Sequence, residues 1–377
     1  MDNSTKIDNQ LPKKLQLFLE YCKRNKYSNI GYPESALFDY EALLPFLEYS
    51  LNNCGDWSKP SNYKLNSFEF EKDVLYYFAS LYKIQCETMW GYFTSGSTES
   101  NLFGCYLARE RFKNSIFYYS DQSHYSIKKA LRVLDVKTQE IPTSSDGTIE
   151  HNKLFRAIAQ NPPHNPIIIA NIGTTLTGAV DPIDLIHQGL HNLGFSQNEY
   201  HIHADAALSG MILPFVKDPQ PHNFKDGIDS IAISGHKFIG SPFPYGIVLT
   251  KKQYIDNISS TIDYIDSLDM TLSGSRNGLA PLMLWYRLHE TSDQYWKDLV
   301  HGCFKLADYA IEQFNRHNIP AWRHKNSITV VFPSPSQKVW RRYGLAATKK
   351  LTHLVITPHH RDTQLIDQII HDVATDQ

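Results

Sequence analysis

The amino-acid sequence predicts an α/β protein: a mixed, mostly parallel sheet with helices packed on it, followed by a smaller α+β domain. Three observations carry this. From about residue 65 to 250, short apolar runs alternate with segments of helical periodicity, the pattern of βαβ units. Small polar and charged residues follow several of those runs, at the place where α/β sheets bind ligands. After residue 280 the alternation gives way to long amphipathic helices separated by two strand-like runs.

Residues 1–64 read as an N-terminal segment. It is polar as far as Lys14, after which Leu15, Phe18, Leu19 and Cys22 recur at helical spacing. Tyr32-Pro33 and the stretch Asn52–Asn62, which holds Gly55 and Pro60, read as loops. Helical spacing returns over Phe68–Tyr82. Strands are expected at Ile116–Tyr119, Pro166–Ile172, Tyr200–Ala204, Ile228–Ile233 and Tyr245–Leu249, with helices around 100–112, 122–134, 150–160 and 183–193. These elements form a large domain, 65–285. A small domain, 286–377, follows. Leu282–Leu288 and Trp296–Phe314 read as helices near and within it, Ser327–Phe332 and Leu351–Thr357 as strands, and Leu365–Val373 as a last helix.

Composition narrows the function. The 377 residues allow two or three domains, and 42% hydrophobic with 20% charged residues is a globular balance. Lys plus Arg number 37 against 39 Asp plus Glu, so the basic excess of a nucleic-acid-binding protein is missing. Five scattered cysteines without a C-x-x-C pair argue against a disulfide framework or a structural zinc site. No apolar run approaches the ~20 residues of a membrane helix, and Met1–Lys14 lacks a signal-peptide core. A cytoplasmic protein with no membrane or nucleic-acid partner is expected.

Four places carry chemistry. Thr94–Asn101 places Gly96 and small hydroxyl residues before a helical pattern. Exposed N–H groups at the positive end of a helix dipole cradle phosphate there, although the same residues also serve as ordinary caps. In His201-Ile202-His203-Ala204-Asp205, alternation puts positions 201, 203 and 205 on one strand face, with Asp205 at the carboxyl end. Those three side chains could also be metal ligands. Ser234-Gly235-His236-Lys237 follows an apolar run. A lysine at a buried strand end acquires a lowered pKa and can form a Schiff base with an aldehyde, where a surface lysine on a turn would not. His124, in Ser123-His124-Tyr125-Ser126, offers a flat ring in a loop. A phosphate cradle, a carboxylate, a lysine and a flat imidazole are together what pyridoxal 5′-phosphate requires.

Ser234-Gly235-His236-Lys237 after Asp205-Ala206-Ala207 resembles the group II pyridoxal-phosphate-dependent amino acid decarboxylases. The likeness runs almost end to end. It includes Asn29–Ser35, Asn52–Trp57, Asn171–Thr175, His203–Gly210, Gly274–Gly278, Ala321–Arg323 and Asn326–Pro333. The resemblance implies an aspartate-aminotransferase-like fold (fold type I) and decarboxylation of an amino acid. The expected substrate is L-histidine, giving histamine and carbon dioxide, with another small amino acid such as serine as the alternative. It further implies that Lys237 carries the cofactor, that Asp205 pairs with the pyridine nitrogen, and that His124 and Ala207 cover the two ring faces. Gly96, Ser97, Thr98, Ser234 and His236 would hold the phosphate. Thr174 would lie near the ring's 3-oxygen or the substrate carboxylate. Tyr63 and Ser273–Arg276 would reach the site, partly from the second subunit of a homodimer or homotetramer, and a loop tyrosine, Tyr63 or Tyr264, would supply the proton to Cα.

The sequence departs from those relatives in three places. Ser95–Asn101 stands where they mostly read Asn-Gly-Gly-Thr-Glu-Gly-Asn, Leu279 where they carry His, and Tyr245 where they tend to carry Cys. Two readings of other classes compete: a metal-dependent hydrolase built on His201, His203 and Asp205, and a non-catalytic protein of the same fold.

Overall fold

The computed structural model describes residues 11–26, 28–59, 61–256, 258–262, 267–360 and 362–376. Helix α1 (Lys13–Asn25) buries none of its residues, while α2 (Phe68–Leu81) buries Val74, Leu75 and Phe78 along one stripe. The large sheet and its helices follow in chain order: β1 (Met89–Thr94), α3 (Ser97–Arg111), β2 (Ser115–Ser120), α4 (Tyr125–Val133), β3 (Thr138–Ile141), α5 (His151–Ala159), β4 (Asn165–Asn171), α6 (Ile183–Asn192), β5 (His201–Asp205), β6 (Ser230–Ser234) and β7 (Gly246–Lys251). A short hairpin, β8 (Ser260–Ile262) and β9 (Ser267–Asp269), leads to α7 (Leu279–His289) and the long α8 (Asp293–Arg316). The chain ends with β10 (Thr329–Pro333), α9 (Gln337–Arg342), β11 (Ala346–Ala347), β12 (Leu351–Val355) and α10 (Gln364–Thr375).

The seven-stranded sheet has the order β1-β7-β6-β5-β4-β2-β3. Strands β3, β2, β4, β5 and β6 run parallel, and β7 runs antiparallel to both β6 and β1. The mixed, mostly parallel sheet expected from the sequence is therefore present. Ile167, Ile168 and Ile169 are fully buried, as a central parallel strand covered on both faces requires. The second sheet, β10-β12-β11, is antiparallel.

The five expected strands of the large sheet and the nearby helices fall within a few residues of their places. Two strands of that sheet, β1 and β3, were not expected. Gly91 interrupts the apolar run of β1, and its missing side chain is required because a Cβ there would lie 2.2 Å from the Val248 carbonyl. Strand β3, Thr-Gln-Glu-Ile, is a mostly exposed edge strand with almost no apolar signal. The helix expected near residue 100 begins at Ser97, so Thr98–Asn101 lie inside its first turns.

One stretch of the N-terminal segment joins the two sheets. The Val355 N–H donates to the Ile30 carbonyl (2.8 Å), and the Gly31 N–H to the Gly344 carbonyl (3.1 Å). His353 Nε2 lies 3.0 Å from the Gly31 carbonyl and donates to it. A few residues later the Ser35 N–H donates to the Lys237 carbonyl (2.9 Å), and the Ala36 N–H to His359 Nδ1 (3.1 Å).

Candidate active site

The carboxyl ends of β5 and β6 and the N-terminus of α3 converge on one cleft. Parallel strands bring this about, because every crossover returns the chain to the same edge. Helix α3 has no side-chain cap, so its first N–H groups remain available. A Cβ at Gly96 would meet open space. Ser97 Oγ and Ser234 Oγ are 2.6 Å apart. One hydroxyl proton makes that bond, and the other is left to donate outward. Glu99 braces the loop, accepting from the Ser95 N–H (2.8 Å), Ser95 Oγ (2.7 Å), Tyr92 Oη (3.2 Å) and Ser273 Oγ (2.8 Å).

Lys237 sits in a single wide helical turn, His236–Gly240, of the i→i+5 kind that recurs at functional sites. Gly240, at φ 91°, closes the turn in a left-handed conformation. The Tyr245 carbonyl accepts from the Gly235 N–H and from His236 Nδ1, both at 3.1 Å. The Tyr245 ring fills the space a side chain at Gly235 would need, since a Cβ there would lie 1.8 Å from it. Tyr245 thus props the lysine turn, which gives this departure from the relatives a structural role. Burial pushes the Lys237 ammonium below its ordinary pKa, against the pull of Asp205 and Glu34.

Asp205 Oδ2 accepts from Asn101 Nδ2 (2.9 Å), and Oδ1 from the Ala207 N–H (3.2 Å). His124 caps α4, where its Nδ1 accepts from the Ser126 N–H (3.3 Å) and lies 2.8 Å from Ser126 Oγ. Burial lowers its pKa, opposed by Asp205 and reinforced by Lys237 and Lys129. Thr174 Oγ1 accepts from the Ala179 N–H (3.0 Å) and lies 2.9 Å from Thr177 Oγ1. An inner cavity is lined by His124, Thr174, Asp205, Ala207 and Lys237. His124, Asp205, Ala207 and Lys237 also line an outer cleft with Gly96, Ser97, Thr98, Ser234 and His236.

The structure therefore brings together ten of the eleven expected site residues. Tyr63 is the exception and lines neither cavity in the single chain. Tyr264 lies outside the described residues. Arg276 does not reach the cleft: it is buried in an ion pair with Glu71, and its Nη2 donates to the Gly55 carbonyl (2.9 Å). Leu279 packs beside Tyr40, Leu43, Leu282 and Met283. His201 Nε2 and His203 Nδ1 share the Ser230 hydroxyl, each 2.8 Å from it, and His203 Nε2 lies 3.0 Å from Asn101 Oδ1, so these rings serve a hydrogen-bonded chain. Among the described residues no cluster of three His, Cys, Asp or Glu could hold a metal ion.

Tyr32, Glu34, Asn171 and His353 also line the site, and no role was expected for them. The likeness around Asn29–Ser35 and Asn171–Thr175 was a signal for three of them. Nothing in the pattern of the strand 351–355 singles out His353.

An amine set deep in the cleft, a carboxylate at a strand end, and an uncapped helix with outward hydroxyls fit a flat, phosphorylated aldehyde. That combination on this sheet defines the pyridoxal-phosphate enzymes of fold type I. The chain belongs to the pyridoxal-dependent decarboxylases, whose conserved domain matches residues 79–313. It is 52% identical over 363 residues to histidine decarboxylase of Morganella morganii, covering 96% of each chain. It is 50% identical to the enzyme of the same name from Acinetobacter baumannii strain ACICU, over 96% of this chain and 95% of the relative. The Vibrio campbellii protein, also a histidine decarboxylase, is 49% identical over 371 residues, 98% of this chain and 96% of that one. Among solved structures, L-methionine decarboxylase from Streptomyces sp. 590 superposes with a TM-score of 0.88 at 23% identity, covering 100% of this chain and 98% of that one. Glutamate decarboxylase from Lactobacillus brevis superposes with a TM-score of 0.78 at 14% identity, over 98% and 94%.

Proposed function

We propose that the protein converts L-histidine to histamine and carbon dioxide in the cytoplasm. The observation that carries this reading is identity of about half over nearly the whole chain with histidine decarboxylases from several bacterial genera. Pyridoxal phosphate, when bound, accepts the electron pair released as the Cα–carboxylate bond breaks. The residues of this chain hold and orient. Lys237, whose burial lowers its pKa, would hold the cofactor through its amine. Asp205, fixed by Asn101 and Ala207, would pair with the ring nitrogen. Ser97, Thr98, Ser234, His236 and the N-terminus of α3 would hold the phosphate. His124 and Ala207 would cover the two ring faces, and Thr174 would lie near the ring's 3-oxygen or the substrate carboxylate.

The working unit in this reading is a homodimer that completes the site. Exposed apolar side chains support it: Leu15, Leu17, Phe18 and Tyr21 on α1 are 49–61% exposed, and Leu44, Leu47 and Tyr49 are 54–59% exposed. A second copy covering these surfaces is the occupant that fits, and Tyr63 would serve the neighbouring subunit's site.

The test is carbon dioxide release by purified holoenzyme across histidine, serine, aromatic amino acids and glutamate. Histidine is expected to give the highest kcat/KM. A higher value for serine would overturn the substrate assignment and leave the decarboxylase class standing.

A further inference from the structure

Behind Asp205, away from the cleft, a chain of buried polar groups runs into the core between α3 and the sheet. Asp205 Oδ2 accepts from Asn101 Nδ2 (2.9 Å), and Asn101 Oδ1 lies 3.0 Å from His203 Nε2. His203 Nδ1 lies 2.8 Å from Ser230 Oγ, which lies 2.8 Å from His201 Nε2. His201, His203 and Ser230 are fully buried, and Asn101 is 1% exposed.

The proton positions follow from chemistry. Asn101 must present its NH₂ to a carboxylate, so its oxygen faces His203. An amide oxygen only accepts, so His203 Nε2 carries a proton. Burial holds the His203 pKa at about 3, so the ring is neutral and Nδ1 accepts from the Ser230 hydroxyl. That hydroxyl has spent its proton, so His201 Nε2 donates to it. Every donor in the chain points toward Asp205.

The core has been shaped around this chain. Helix α3 passes the His203 ring at Gly104, where a Cβ would lie 2.2 Å from the ring atoms. Four polar side chains in a core cost more than apolar ones of the same volume. Nδ1 of His201 is left without a hydrogen-bond partner at the far end. A packing role alone would be filled better by aliphatic residues.

We propose that His203 is a positioning residue: through Asn101 it holds the Asp205 carboxylate in the orientation that meets the pyridine nitrogen. With the His203 Nε2 proton removed, Asn101 is free to rotate and turn its oxygen on the carboxylate. Helix α3 then links both anchors of the cofactor, with the phosphate at its first turn and the ring nitrogen through Asn101 at its second. The other groups that act on Asp205 are Lys237 from the turn after β6, His124 from the start of α4, and the Cys105 thiol on α3.

This rests on Asp205 being the partner of the ring nitrogen, so Asp205→Asn is measured beside His203→Leu, His203→Gln and Ser230→Ala. The readouts are the pH midpoint of the bound cofactor's visible absorbance, the Kd for pyridoxal phosphate added to cofactor-free protein, and kcat and KM separately. His203→Leu is expected to shift the pH midpoint and to lower kcat by about ten- to a hundredfold, the scale of one hydrogen bond to a charged group, with little change in KM. His203→Gln keeps an N–H donor and is expected to recover most of that loss. Ser230→Ala frees the His203 tautomer without emptying the core and is expected to move the midpoint in the same direction. If Asp205→Asn is crippled while His203→Leu or Ser230→Ala keeps the wild-type midpoint and a kcat within twofold, the relay is refuted and Asp205 keeps its role. If Asp205→Asn itself stays within tenfold of wild type, the assignment of Asp205 falls, and the relay with it.

Discussion

Replacing Arg276 with methionine should reveal a structural residue where the family resemblance led us to expect an active-site one. Glu71 is fully buried and Arg276 is 6% exposed. The carboxylate also accepts from the Phe93 N–H (2.9 Å) and Asn53 Nδ2 (2.6 Å), so it anchors β1 and the Asn53 loop together. Removing one partner of a buried pair costs about 3–5 kcal/mol, because the other charge stays behind. Two donors remain on Glu71, which places this case near the lower end, about 3 kcal/mol. Glu71→Gln combined with Arg276→Met removes the stranded charge and should regain about 2 kcal/mol of that loss. Urea unfolding of the wild type and the two variants at one protein concentration measures this. The absorbance of the bound cofactor and KM for histidine should stay at their wild-type values. A loss below about 1 kcal/mol, or a KM raised tenfold with stability intact, would refute the structural role and return Arg276 to the active site.

Lys237→Ala should lose the covalent cofactor adduct that borohydride fixes in the wild type, and all turnover with it; an adduct still present by mass spectrometry would contradict the assignment of the lysine. Leu279→His should alter the urea midpoint and leave the histidine-to-serine ratio of kcat/KM unchanged, because Leu279 packs away from the cleft; a changed ratio would show that it reaches substrate in the assembled enzyme. Burial holds His201 and His353 near pKa 4 and His203 near 3, against about 6.5 when unfolded. Each is neutral when folded, so its stabilising contribution is complete above pH 6.5. It is lost as pH falls toward the folded value, at about 1.4 kcal/mol per pH unit per histidine. Unfolding curves between pH 7 and 4.5 should therefore steepen, and His353→Gln should flatten them; equal slopes would argue against a buried neutral imidazole.

The large sheet was legible because its central strands are buried on both faces and read as apolar runs, and because parallel strands send ligand-binding residues to one edge. His124, Asp205 and Lys237 could each be found by looking just beyond a strand, and Gly96 by looking just before a helical pattern. Strand β3 was hidden because an edge strand needs few apolar residues. The roles of Glu34 and His353 were hidden for a different reason. They reach the cleft through contacts between distant segments, and periodicity along the chain carries no information about which segment crosses which. His203 shows an intermediate case: its strand face was readable, but its hydrogen-bond partners lie about a hundred residues earlier and some thirty later in the chain.

The tie between residues 30–36 and the second sheet sets an order of events during synthesis. Its hydrogen bonds to His353 and His359 span 322 and 323 residues of the chain. Contacts of such separation form late, and a chain made from its N-terminus cannot form them until nearly all of it has left the ribosome. The phosphate cradle, Asp205 and Lys237 are complete more than a hundred residues earlier. A nascent chain therefore holds Asp205 and Lys237 well before Ala346, His353 and Val355, which line the inner cavity beside them, have been made.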